Sequence, residues 1–196
     1  MIKIFGGIPK ILPIAKDNIK HIETILNENL DCNFFVSSGG ASVGKYDFLH
    51  RVLDKNDKDT YLHFWKIAMR PGKPLIFAKY KTIPFLGLPG NPVSAGVCSL
   101  IFLRPAINKI LGLKDYFPEL NTGVLDGELK QNDQRLDFIR AYFNPKNKNK
   151  IIPFTKQDSS MINNFSICDC LILRKPFEKK TTKNSQINFI KFPDFI

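Results

Sequence analysis

The sequence predicts an α/β domain followed by a small all-β domain, and three observations carry that reading. Between residues 33 and 53 a short apolar strand runs into a glycine-rich loop and then a helical pattern, the strand, loop and helix unit of an α/β sheet. Near residue 84 the pattern recurs, as an apolar strand, the turn LPGNP and a long apolar helical stretch. Beyond Gly112 the periodicity changes to short alternating segments separated by Asn, Lys, Pro and Asp. The expected domains are therefore residues 1–113 and 114–196.

Each element has a local reason. From Asp17 to Leu30 the residues Ile19, Ile22, Ile25, Leu26 and Leu30 fall at helical spacing, and Asp17 or Asn18 can cap the start. A strand over 33–36 leads into SSGGASVG, and Phe48, Leu49, Val52 and Leu53 then share one side of a second helix. TYLHFWKIAM reads as one strand, RPGKP as a turn, and PLIFAKY and TIPFLGL as two further strands. A helix is expected from Pro92 to Leu111, with a kink or break at Pro105 and Gly112 as its stop. The β domain takes its strands from GVLDGEL, LDFIRAYF, KIIPF, DCLILRK and INFIKF, with a helical turn near Ser159 to Asn163.

A chain of 196 residues with 43% hydrophobic content is globular rather than disordered. Its formal charge of +11 suits an anionic partner, although abundant Lys, Asn, Ile and Phe also fit compositional drift. No nucleic-acid motif accompanies the charge, so no nucleic-acid partner is expected. The clusters NPKNKNK and EKKTTKN read as solvated hairpin loops. Cys32, Cys98, Cys168 and Cys170 form no CxxC pair, and His21, His50 and His63 have no ligand spacing, which fits a reduced, cytoplasmic protein without a zinc site. Gly6, Gly7, Pro9 and Pro13 interrupt the N-terminal apolar run, and no later run reads as long enough to cross a bilayer, so no membrane partner is expected.

Three stretches can carry chemistry. In LPGNPVSAG, Pro89 and Gly90 turn the chain out of a strand, Asn91 is placed to cap a helix, and Pro92 suits its first position. Such a helix end offers unpaired N–H groups to an anion, with Ser94 adding a hydroxyl, unless it is simply an ordinary capped helix. In SSGGASVG, Gly39, Gly40 and Gly44 would admit a phosphate close to the backbone while Ser37, Ser38 and Ser42 supply hydroxyls. In KIAMRPGKP, strand alternation would put Lys66 and Arg70 on one face, with Lys73 beside them on the turn. Asp17 and Asp47 stand at the helix ends nearest these loops; each suits a cap, and together they suit Mg²⁺, which takes one or two carboxylates with phosphate oxygens and water.

SSGGASVGKYD, FWKIAMRPGKP and FLGLPGNPVSA, in that order and spacing, resemble the molybdopterin molybdenumtransferases, the MoeA and gephyrin E-domain family. RLDFIRAYF and QDSSMINNFSICDCLIL more weakly resemble that family's C-terminal β domain. The resemblance implies a three-layer, MogA-like molybdopterin-binding domain followed by a small β domain. It implies insertion of molybdate into adenylylated molybdopterin with release of AMP and a need for Mg²⁺. By motif position, Asp17 and Asp47 would hold the metal, and Lys66, Arg70 and Lys73 would surround pyrophosphate and molybdate. Pro74, Ser94, Arg140, Ser159 and Ser160 would complete the molybdate contacts. Many relatives carry lysine where Arg70 stands, a change that keeps charge and alters donor geometry.

The chain also departs from the family pattern. Members are roughly twice as long, and nothing resembling their earlier domains, or the TGDEL-like strand that opens their α/β domain, precedes Met1. The expectation is an N-terminally truncated domain with an open sheet edge, completed by a homodimer partner or a companion N-terminal polypeptide. The alternative to an enzyme is a pterin- or phosphate-binding module without turnover.

Overall fold

The computed structural model describes residues 1–40, 48–55, 58–158 and 161–193. They divide into one unit of residues 1–67 and 72–116 and a second of residues 68–71 and 117–196. The departure from two contiguous stretches is the tetrapeptide 68–71, which leaves the first unit and joins the second.

In the first unit, α1 (Ile19–Asn27) starts at Asn18, whose side chain accepts a hydrogen bond from the His21 N–H at 3.0 Å. Of the two candidate caps, Asn18 does the capping, and Asp17 stands one residue outside the helix. β1 (Phe35–Ser38) pairs in parallel with β5 (Ile83–Leu88); β4 (Ile76–Tyr80) and β2 (Tyr61–Trp65) follow antiparallel, giving a four-stranded sheet in the order β1-β5-β4-β2. On one face, Leu49, Val52 and Leu53 of α2 (Phe48–Leu53) pack with Leu26, Phe35, Ile76, Ala78, Tyr80 and Phe85. Alternation sends Leu86 and Leu88 to the other face, where the helix that follows β5 supplies buried Val93, Val97, Leu100 and Leu103 as cover.

That helix comprises α3 (Pro92–Cys98), a π-helical turn over Ser99–Leu103 and α4 (Arg104–Ile110). Pro105 does not break it. The Arg104 N–H bonds back to the Ser99 carbonyl, and this widened turn makes room for a proline ring that would crowd the preceding turn of a regular α-helix. Gly112, at φ +76°, ends the run as expected. The sequence reading of bilayer-spanning length needs correction, because Pro92–Ile110 is 19 residues long and apolar enough to qualify by length and composition. Its apolar residues are mostly spent on the core of the first unit.

The stretch read as a single strand from Thr60 to Met69 also needs correction. β2 stops at Trp65, because Lys66 adopts the left-handed region at φ +74°, and β3 (Met69–Arg70) pairs in parallel with Leu136 and Asp137 of the second unit.

The second unit contains β6 (Asn121–Leu125), β7 (Leu136–Asn144), β8 (Asn147–Pro153), α5 (Ile162–Ser166), β9 (Cys170–Arg174) and β10 (Gln186–Lys191). Its sheet has the order β3-β7-β8-β6-β10-β9, and β7 also pairs with β9, so five strands close on themselves around Leu125, Ala141, Ile151, Cys170, Ile172 and Phe189. Gly123 belongs to this interior: a Cβ there would lie 2.7 Å from Ile151 Cδ1. Lys146 and Lys148 are exposed at the β7–β8 turn, while Lys180 and Lys183 pair with Glu128 and Asp126.

Candidate functional site

The carboxyl ends of the parallel pair β1 and β5 meet at one edge of the first unit's sheet. The Gly39 N–H donates to the Leu88 carbonyl at 3.1 Å, and a Cβ placed on Gly90 would lie 3.6 Å from Gly39 Cα. The two glycine-bearing turns are therefore in contact along their backbones. Gly39 and Gly40 have φ of +85° and +70°, values that L side chains rarely adopt. Carboxyl ends of parallel strands are where ligands enter open α/β sheets.

The register adds two cations to this edge. Ile76 pairs with Gly87 and Trp65 pairs with Ile76, so the residues just before Ile76 and just after Trp65 stand level with the turn after β5. The Lys66 N–H donates to the Leu75 carbonyl at 3.2 Å and the Ile67 N–H to the Lys73 carbonyl at 3.0 Å, fixing Lys66 and Lys73 side by side at the mouth of the 68–71 excursion. Both side chains are exposed. Lys66 Nζ lies 3.9 Å from the centroid of the Trp65 ring, a cation–π contact, and neither lysine has a carboxylate partner among the described residues. Strand ends about 4.8 Å apart make an edge roughly 14 Å long from Ser38 to Lys66.

The helix end is built as its residues predict. Asn91 Oδ1 accepts from the Ser94 N–H at 3.1 Å, Pro92 occupies the first turn, and Ser94 is buried. Pro89 is buried and Gly90 exposed, while Pro74 is half-buried beside Lys73. Ser37 is displaced from the role of loop hydroxyl. Its buried Oγ has no partner among the described residues and faces Gly87, where a Cβ would come within 3.4 Å of it.

Arg70 does not join the two lysines in the first unit. It belongs to the second, where its guanidinium bonds Asp137, Asp133 at 3.2 Å and Asn132 at 3.4 Å. Asp137 is buried, and Arg70 supplies its counter-charge. Hydrogen bonds from Arg135, with Arg70 close by, hold the Asp133 carboxyl well below the ordinary carboxylate range. The expected alternation of Lys66 and Arg70 on one face fails because the strand ends between them.

Arg140 lies in β7, 1% exposed, with Nε 3.3 Å from Gln157 Oε1 and Nη2 2.9 Å from the Asp158 carbonyl. Burial lowers its pKa. It secures the chain next to Ser159 and Ser160, which lie outside the described residues, as do Ser42, Gly44 and Asp47. Asp17 is exposed, one residue outside the Asn18 cap of α1. No group of three or more His, Cys, Asp or Glu suited to a metal occurs among the described residues. Asp17 is an exposed carboxylate, a group that suits Mg²⁺, which retains water and substrate oxygens as most of its ligands. Sequence reasoning missed Trp65 and Asp137. The chain's one tryptophan directly before Lys66 was a usable signal for the first, and none existed for the second.

A family model described as "Probable molybdopterin binding domain" matches residues 1–109, more than half of the chain. The chain belongs to this family. A molybdopterin molybdenumtransferase of Haemophilus influenzae is 38% identical over 166 residues, covering 83% of this chain and 40% of the relative. The molybdenum cofactor synthesis protein cinnamon of Drosophila melanogaster is 41% identical over 113 residues, 56% of this chain and 18% of that protein. Among solved structures, a MoeA molybdopterin biosynthesis protein from Pyrococcus horikoshii superposes with a TM-score of 0.79 at 20% identity, covering 99% of this chain and 46% of its own. The fold is that of the MoeA proteins, and the chain spans about two fifths of its Haemophilus relative.

Proposed function

We propose that the protein acts in molybdenum cofactor biosynthesis, inserting molybdate into adenylylated molybdopterin with release of AMP. The observation that carries this reading is the contact of the Gly39 and Gly90 turns at the carboxyl edge of β1 and β5, with Lys66 and Lys73 on the same edge. An edge of that length suits an extended diphosphate ligand. The family assignment supports the pterin, and the relative's name supports the transfer of molybdenum.

In this reading, backbone N–H groups of residues 38–40 and the α3 end, with Ser94, receive phosphate oxygens, with Ser42 and Gly44 as further candidates by motif. Lys66 and Lys73 neutralise charge that accumulates on the phosphoanhydride oxygens as AMP leaves, and Lys73, Pro74 and Ser94 border the molybdate. Ser159 and Ser160 stay candidates for oxyanion contacts, whereas Arg140 acts by holding Gln157 and the Asp158 carbonyl and Arg70 by holding Asp137. Mg²⁺ would be held by Asp17 and Asp47 and would offset the negative charge of the diphosphate. Positioning and electrostatics carry the rate without a covalent enzyme intermediate.

The test is molybdate-dependent release of AMP from adenylylated molybdopterin by the purified chain with Mg²⁺. Release that Lys73→Ala abolishes supports the reading. A second reading is binding of the pterin without turnover. Tight pterin binding with no release would select it.

A further inference from the structure

We propose that Trp65 is the positioning residue for Lys66, an inference that rests on reading this edge as a phosphate site. The indole face holds the Lys66 ammonium in place while the outward N–H groups of that ammonium meet phosphate oxygens. Successive side chains of a strand point to opposite faces, so a regular continuation of β2 would send Trp65 and Lys66 apart. Instead they meet. Lys66 stands at φ +74°, and its Nζ lies 3.9 Å from the centroid of the Trp65 ring. L residues other than glycine rarely enter that backbone region, and those held there by their surroundings cluster at functional sites. The Lys66 N–H, donating to the Leu75 carbonyl at 3.2 Å, secures the conformation here.

The ring is itself fixed. Trp65 pairs with Ile76 of β4 and packs against the core cluster that contains Val52, Leu53 and Ile76. The His50 ring of α2 lies 4.3 Å from it, centroid to centroid, inclined at 47°. A lysine carries its charge on a flexible four-carbon stem, and such a support gives that charge a defined place. Lys66 has no carboxylate partner among the described residues, so the ring constrains the ammonium without cancelling its charge.

An indole at this position, rather than a phenyl ring, also calls for a reason. Its Nε1 is buried and has no hydrogen-bond partner among the described residues, whereas a buried indole N–H usually finds one. Phenylalanine would bury an aromatic ring without burying a donor. What tryptophan adds is the strongest aromatic face for a cation. Lys73, on the same edge, lies over no ring among the described residues, so the support is particular to Lys66.

The test uses the full chain, whose one tryptophan makes intrinsic fluorescence a report on this contact alone. Lys66→Met, which keeps an unbranched stem and removes the charge, should shift the emission maximum of the free protein, and Lys73→Met should leave it in place. Calorimetry with adenylylated molybdopterin then reads the positioning itself. Trp65→Leu should raise Kd about two- to fivefold, the scale of an exposed cation–π contact, and Trp65→Phe should raise it less. In the Lys66→Met background, Trp65→Leu should add nothing further. Were circular dichroism to show Trp65→Leu unfolded, Trp65→Phe in the same two backgrounds would supply the comparison. Unchanged emission in Lys66→Met, an equal shift in Lys73→Met, a Kd that Trp65→Leu leaves unchanged, or a rise equal in both backgrounds overturns the proposal and leaves the phosphate site standing. A wild-type chain that binds no adenylylated molybdopterin overturns the site, and the proposal with it.

Discussion

The two units treat their cations in opposite ways. In the second unit, Arg70 is bound to Asp137 and Asp133, and Arg140 and Arg174 are buried against carbonyl groups, with Glu178 also at Arg174. In the first, Lys66 and Lys73 are fixed through their backbones and their ammonium groups stay exposed. The planar guanidinium, with five donors, joins backbone carbonyls and carboxylates into a framework, whereas the flexible ammonium remains available to an incoming anion. The contrast separates cations that hold the fold from cations left exposed, although motif spacing groups Lys66, Arg70 and Lys73 together.

The largest effect that can break this contrast concerns turnover. Lys73→Ala should lower AMP release about 10²- to 10³-fold, the scale for losing one preorganised charge-stabilising donor, with little change in melting temperature. Next comes Arg70→Ala, which leaves Asp137 buried without its cation. A loss of about 2–3 kcal/mol in urea unfolding is expected after allowing for the partial exposure of Arg70, together with near-normal pterin affinity. A stable Arg70→Ala protein that no longer binds pterin would place Arg70 with the lysines after all.

Two smaller effects sharpen the comparison. Asn91→Ala removes the α3 cap and should cost about 1 kcal/mol, read as a shift in the urea midpoint of the first unit. Buried thiols give each unit its own alkaline signature. Burial pushes Cys98 up to about 12 in the first unit and Cys168 up to about 11 in the second, against an ordinary value of 9.0. The unfolded chain sheds these protons first, so the stabilisation is intact below pH 9 and is lost as pH rises toward 11 and 12. Cys98→Ala should flatten the alkaline fall of the first unit's stability and leave that of the second, followed by exchange of each unit's amides between pH 9 and 10.5.

Local chemistry made much of the first unit legible. Asn18, Asn91, Pro92 and Gly112 mark helix ends through their own backbone preferences, and the structure has those ends where they mark them. Hydrophobic alternation likewise identified β5 and the strands of the second unit. What stayed hidden depends on partners distant in sequence. Arg70 and Asp137 are 67 residues apart, and their pairing draws residues 68–71 to the second unit after β2 ends at the left-handed Lys66. The π-helical turn before Pro105 is similar: proline signals trouble for a regular helix, but Leu100 and Leu103 within the turn are buried, and the helix widens instead of ending. At the candidate site, the glycine turns and both lysines were readable as motifs, whereas their alignment on one sheet edge required the β2–β4–β5 register.

The most direct test of the contrast is equilibrium binding of adenylylated molybdopterin by calorimetry to two charge-matched double variants, Lys66→Ala/Lys73→Ala and Lys146→Ala/Lys148→Ala. Each removes two exposed lysines, one pair from the candidate edge and the other from the β7–β8 turn. The account predicts at least a tenfold rise in Kd for the first and an unchanged Kd for the second. Equal weakening of both would mean that the +11 charge attracts the ligand non-specifically and that the edge is no site.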